Sequence, residues 1–435
     1  MYGLSFVVFR RRRRVVLWAL IIFTASFGLA QQVSWTGGTN TNMNSAGNWS
    51  TGALPDENSE VRIAEANGTG SIPSLTLQGN LNMSLRSFLF DNSAGRYGSN
   101  GLRIAATTGT SSSNQSTIYF NAAGTIITAL NNAAVAFRSA SLSNSSTANP
   151  SPSLTLNLNY DGVGVVNVDG ASLVRVDEVS GGVPAATIVG TGGIEKVGEG
   201  VLRFQGGHTY AGGFTLNEGI FEYTASGSTS DGVLLSSPFG LGTARFNGGA
   251  VRSTTDNGRT IYNHVELDGN VAITTDVAGR TGDFTVSTSA GGTTTLISNS
   301  TLNIASTVTW NQTISGDDRS LTKTGGGTLV LNGANTYTGG TFIAEGTVRG
   351  DVGGGSLDVA SGAHYELGIA DRTIGRLSGG GQVALGTRTL ATDSEEDSTF
   401  DGVIDGEGAL VKAGSGTLTL TGEDSYTGGT RVAEG

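Results

Sequence analysis

The sequence has no cysteine, six prolines and three histidines, and charged residues fill only 14% of its 435 positions. Without cysteine there is no disulfide framework, so backbone pairing and packing must hold the chain together. Such a chain is also free to stay unfolded during export. Scarce proline excludes collagen, and scarce charge excludes a charge-rich disordered tail. Past the N-terminus no apolar run is long enough to span a membrane. What is present is glycine, 69 residues, about twice average usage, with Thr, Ser and Asn in place of charge. These residues suit turns and solvated strand faces and disfavour helix interiors, so almost no helix is expected.

The first thirty residues carry five consecutive arginines, Arg10 to Arg14, then an apolar run from Val15 to about Leu29. That order reads as a secretory leader of residues 1–30. Small Gly28 and Ala30 suit a peptidase, so cleavage is expected after Ala30. Removing the leader takes five of 25 basic residues and none of 36 acidic ones, which leaves 20 − 36 = −16. So acidic a chain excludes a nucleic-acid partner, which needs basic patches.

One pattern is written three times, in 188–219, 314–346 and 404–435. Counted from Lys196, Lys323 and Lys412, the tyrosines Tyr210, Tyr337 and Tyr426 lie fourteen residues on, and Gly219, Gly346 and Gly435 twenty-three on. The only slip is one extra residue before Lys323, inside the turn around Asp317 and Asp318. Within each copy apolar residues alternate, as in Leu329 and Leu331, which is the period of a strand. Glycines after each strand and after each tyrosine mark corners that need positive φ. A unit of strand, corner, strand, corner cannot bury its apolar face alone, and stacking supplies the missing surface. The fold expected is all-β, a right-handed parallel β-helix (β-solenoid) over 71–435 with an N-terminal cap at 31–70. Coils of ~20–25 residues rising ~4.8 Å each give a rod of ~80–95 Å. The segments 152–170 and 354–368 are read as degenerate coils between the clear copies.

The pattern of lysine, "GTLxLxG", "YTGGT" and "EG" resembles the autotransporter-associated β-strand repeat, also called the passenger-associated transport repeat. Lys323 to Gly346 and Lys412 to Gly435 carry it in full, while the first copy departs with Val201, Arg203 and "YAGGF". The resemblance implies a secreted or surface passenger of a diderm bacterium, with repeats that aid passage through the outer membrane and folding beyond it. The partners it implies are the outer-membrane export machinery and surface or matrix ligands. The family's terminal barrel or sorting signal is not found before Gly435, so the sequence is expected to be a fragment of a longer protein.

Residues able to do chemistry are sparse. His264 with Glu266, and His364 with Glu366, put two ligand-type side chains on one strand face, yet a metal needs further ligands from elsewhere, and a solvated face is the reading adopted. His208 sits in a turn without a sequence partner. The acidic run Asp393 to Glu407 lacks a calcium-binding repeat and is read as a charged loop and coil edge. Asp317 and Asp318 invite comparison with paired glycosidase carboxylates but occupy the turn that varies in length. The tripeptide Arg349 to Asp351 is read as ordinary repeat sequence. Tyr210, Tyr337 and Tyr426 are read as corner anchors, ring packed and hydroxyl wet. Trp35 and Trp49 are expected to cover the open end of the stack rather than to stack on sugars.

No catalytic, cofactor-binding or metal residue is assigned. The function expected is that of a non-enzymatic surface scaffold used in adhesion or self-association. The alternatives are a β-helical polysaccharide lyase or hydrolase, marked by carboxylates within ~5–10 Å in one groove, and a calcium-stabilised adhesive module.

Overall fold

The computed structural model describes residues 31–36, 42–63, 74–78, 82–92, 102–107, 115–131, 133–139, 153–177, 186–253, 258–275 and 283–435. The expected leader, 1–30, lies outside them. Among the described residues there is no α-helix, only a 3-10 turn at Ala46–Asn48, and no helix long and apolar enough to cross a membrane.

Among the described residues there are forty-four short strands, of which forty-two wind as a parallel β-helix with three faces. The first face has eleven strands, from Gln31–Ser34 to Ile314–Ser315. The second runs for fifteen strands, from Ser74–Gln78 to Leu418–Leu420, without a break in its pairing. A third face is laid down in two blocks, four strands from Asn82–Leu85 to Thr187–Gly190 and eight from Arg259–Ile261 to Val403–Asp405. In coil order, a last four-stranded sheet from Arg372–Ile374 to Thr430–Val432 takes the first face's place. The segments read as degenerate coils are coils, with strands Ser153–Leu158, Val163–Val168, Leu357–Val359 and His364–Leu367.

Period-two alternation turns one side of each strand inward, as in Ser59–Ile63, where alternate residues are buried. The register then stacks like on like. Val174, Leu202, Phe221, Val251, Ile273 and Ile304 form one inward column of the second face, all of them buried. Each such side chain contributes about 1.5–3 kcal/mol when fully buried, and no disulfide is needed.

Coil length departs from the expected range. It falls to 16 residues, from Thr341 to Leu357, and rises to 40, from Gly124 to Gly164. Surface connections absorb the difference, because a stack fixes strand register but not loop length. Fifteen rungs at ~4.8 Å give about 67 Å of axis, shorter than the sequence suggested. One excursion is antiparallel: Ser228–Ser230 pairs with Val233–Ser236 through Asp231 and Gly232, both at positive φ, as a two-residue hairpin turn requires.

Candidate functional site

The repeated motif builds one device three times. In the first copy, strand Gly193–Val197 turns a corner into Val201–Phe204, and the chain returns one coil later as Phe214–Leu216 and Ile220–Tyr223, stacked on the first pair. Lys196 points inward and is fully buried. Its ammonium donates to the carbonyls of Val197 (2.8 Å) and Gly198 (2.5 Å) in its own corner and of Glu218 (3.3 Å) in the next. In return the Glu218 carboxylate accepts the Gly198 N–H at 3.2 Å. Lys323 repeats this with Thr324, Gly325 and Glu345 at 2.9, 2.5 and 3.1 Å, and Glu345 accepts from Gly325 at 3.1 Å. Lys412 reaches Ala413, Gly414 and Glu434 at 2.9, 2.7 and 3.4 Å.

A tight corner aims its carbonyls into the stack, where water cannot satisfy them, and the lysine supplies the donors. The same clasp joins each corner to its successor. Glycine is obligatory at its centre: Gly346 has φ +68, and a Cβ there would lie 2.5 Å from the Gly327 carbonyl oxygen. Burial pushes the amines of Lys196 and Lys323 down to about 8, opposed by Glu218 and Glu345.

The lysines marked the repeat in the sequence, but their role was not foreseen. A signal was there, since the chain has only these three lysines and 22 arginines. Restriction of lysine to one position points to a buried task that arginine cannot fill. The clasp is also not tied to one side of the rod. The first and third copies turn from the first face, or the sheet that takes its place, into the second, whereas the second copy turns from the second into the third.

The tyrosines are corner anchors, but their hydroxyls are not all wet. Tyr210 and Tyr337 are buried; the Tyr210 hydroxyl reaches the Pro238 carbonyl at 3.5 Å, and that of Tyr337 meets Thr341 Oγ1 at 2.6 Å. The next coil covers them, and a covered hydroxyl needs a partner. Tyr426 is half-buried and pairs with Thr430. Trp35 and Trp49 are buried edge to face at 5.0 Å, with Trp49 Nε1 donating to Met43.

The remaining candidates do not converge. Glu266 pairs with Arg245 while His264 meets Thr293 at 3.1 Å. Glu366 pairs with Arg349 at 2.5 Å while His364 meets Gln382 at 2.9 Å. Arg349 of the Arg-Gly-Asp tripeptide therefore belongs to a strand ladder, on Thr347–Gly350. Asp318 takes φ 55 in its turn. The acidic run is a charged corner and coil edge: Glu395, Glu396 and Asp397 lie between Thr389–Asp393 and Ser398–Phe400, Asp401 lies in the next corner, and Asp405 ends Val403–Asp405. Asp397 caps Thr417, Asp401 accepts from Thr421, and Glu396 pairs with Arg376. His208 is buried edge to face on Phe204, its Nδ1 accepting from Ile188 N–H, and its backbone pairs with Ser237 at the base of the antiparallel excursion. Burial pushes its ring down to about 3. Among the described residues no group of three or more His, Asp or Glu is placed to hold a metal ion.

One polar groove of about 390 Å³ opens on the first face, lined in part by Glu195, Thr215, Arg245 and Glu266. These four occupy one outward column, a rung apart. Its two carboxylates are thus three rungs, about 14 Å, apart along the axis, beyond the ~5–10 Å of a glycosidase pair.

The passenger-associated-transport-repeat family matches at 194–222, 321–349 and 410–435, each match beginning with the lysine-bearing strand or its first inward residue. The chain carries passenger-associated transport repeats. Its sequence is 36% identical over 202 residues to the "Adhesin BmaC autotransporter" of Brucella suis biovar 1 (strain 1330), a match covering 43% of this chain and 6% of that protein. No solved structure matches the chain. The family units thus coincide with the clasped corners; the first two contain two rungs on each of two faces, and the third contains two on one face and one on the next.

Proposed function

We propose that this chain is the non-enzymatic scaffold portion of a passenger displayed at the surface of a diderm bacterium, and that the displayed protein is adhesive. Similarity to an autotransporter adhesin supports the reading. The observation that carries it is the coincidence of the transport repeats with lysine clasps spread along one unbroken fifteen-stranded face. Each clasp forms when the following corner docks on the one before, so coils close one after another and need only a neighbour as template. That suits a chain that leaves the cell unfolded after leader cleavage and folds outside. Self-association along the polar ladder faces is a secondary role of the same surface.

The test pairs location with attachment. Protease shaving of intact cells is expected to remove the protein, and a deletion strain is expected to attach less well to host cells or matrix, with recovery on complementation. A protein sheltered from protease, or a deletion strain that attaches like its parent, would refute the proposal.

A further inference from the structure

We infer that the groove on the first face of the leading repeat is a subsite for a neutral, hydroxylated sugar unit of an extracellular glycan. The inference rests on the adhesive reading and names its ligand class. At about 390 Å³ the groove lies in the lower part of the ~300–1,000 Å³ range of ligand sites.

The groove exists because one outward position is small. Thr215 sits beside Glu195 in the clasp of the first copy. The corresponding pairs are Thr322 with Phe342 in the second copy and Val411 with Arg431 in the third. The clasp accepts a bulky residue at this place, and Phe342 stands 40% exposed there. The first copy, whose sequence departs from the family pattern, leaves the space open.

The lining is held in place before any ligand arrives. The Asn217 amide donates to Glu195 Oε1, and the Asn247 amide donates to Asn217 Oδ1 at 2.7 Å. Arg245 is fixed by Glu266. This chain of bonds leaves Asn247 Oδ1 buried without a hydrogen-bond partner, and because Asn247 lines the groove a small turn of its side chain would present that acceptor to a ligand hydroxyl. Carboxylate and amide oxygens accept, and guanidinium and threonine hydroxyls donate, which is the mixed set that sugar hydroxyls need. At one end Val163, 42% exposed, offers an apolar patch for a ring's C–H face. Two carboxylates against one guanidinium leave the lining net negative, so sulfated or uronic-acid chains are disfavoured.

The leader-free chain is tested by saturation-transfer NMR against short neutral oligosaccharides of glucose, galactose, mannose and N-acetylglucosamine, with dextran sulfate as the anionic comparison. At least one neutral sugar is expected to bind, and Thr215→Phe, which copies the second repeat, is expected to weaken it by about tenfold or more with unchanged circular dichroism. Thr215→Arg, which copies the third repeat, is the second groove-filling variant should the first fold poorly. Glu195→Gln is expected to weaken binding less. No binding by any neutral sugar, binding untouched by filling Thr215, or preference for dextran sulfate overturns the subsite. Cells that attach normally while the purified chain binds no sugar remove the subsite and leave the adhesive reading standing.

Discussion

At the scale of residues, three lysines do what many weak contacts do elsewhere. Lys323→Met strands three inward carbonyls and removes the charge beside the Glu345 carboxylate, and is expected to cost about 2–4 kcal/mol, read as a lower denaturant midpoint. Glu345→Ala leaves the ammonium and all three carbonyls in place and should cost less, about 1 kcal/mol. Equal losses would show that the lysine acts only through its acid partner. A second expectation concerns acid. His208 holds its proton in the unfolded chain below its usual 6.5 but in the folded chain only below about 3, so the unfolded state binds more protons between these values. Stability contributed by the neutral ring is therefore lost as pH falls, by about 2 kcal/mol from pH 7 to pH 5, and His208→Gln should flatten that part of the curve. For Lys196 and Lys323 the same comparison, about 8 folded against 10.5, predicts stability gained as pH rises from 8 toward 10. Above that, buried Tyr223 and Tyr365, held protonated by burial, reverse the trend. Sequence marked the lysines because they recur at fixed spacing. It did not show their partners, since the carbonyls meet the amine only after the next coil has stacked.

Among the elements, the repeat proves to be a corner rather than a face. Spacing in the sequence revealed strand, corner and strand, because alternation and glycine placement are local. Which faces the corner joins was not legible, for that depends on how many residues the intervening coils consume. The clasp at Lys323 sits one corner round from that at Lys196 for this reason. If coils are near-independent units with nearest-neighbour coupling, a whole coil should be removable. Leu357 lies over Leu377, 20 residues on, in the second face. Deleting residues 358–377 preserves the register of the second and third faces and spares every clasp, so the shortened chain should keep its β-sheet circular dichroism and melt within a few degrees of the parent. Deleting 358–367 alone puts strands on the wrong faces and should unfold the neighbouring coils. Equal tolerance of both deletions would contradict a register-locked stack. The groove shows the converse limit of sequence reading: Glu195, Thr215 and Arg245 are 20 and 30 residues apart, and no motif links them.

For the whole molecule the axis length decides between a stack and a globule, and scattering has to be read with care. Fifteen rungs give about 67 Å, and length alone then contributes about 19 Å to the radius of gyration. A compact globule of about 400 residues has about 21 Å, so the radius by itself separates nothing. The distribution of pair distances does. A leader-free chain wound as described should show an asymmetric distribution, with its peak set by the coil's width and a tail reaching at least about 67 Å. A symmetric distribution ending near about 55 Å, the diameter of a sphere with the globule's radius of gyration, would contradict the coil stack and with it the clasps. Net charge of −16 on the leader-free sequence adds a condition: the measurement belongs at about 0.15 M salt, where the Debye length is about 8 Å. At low salt, repulsion between acidic rods suppresses scattering at small angles and makes the particle look shorter than it is.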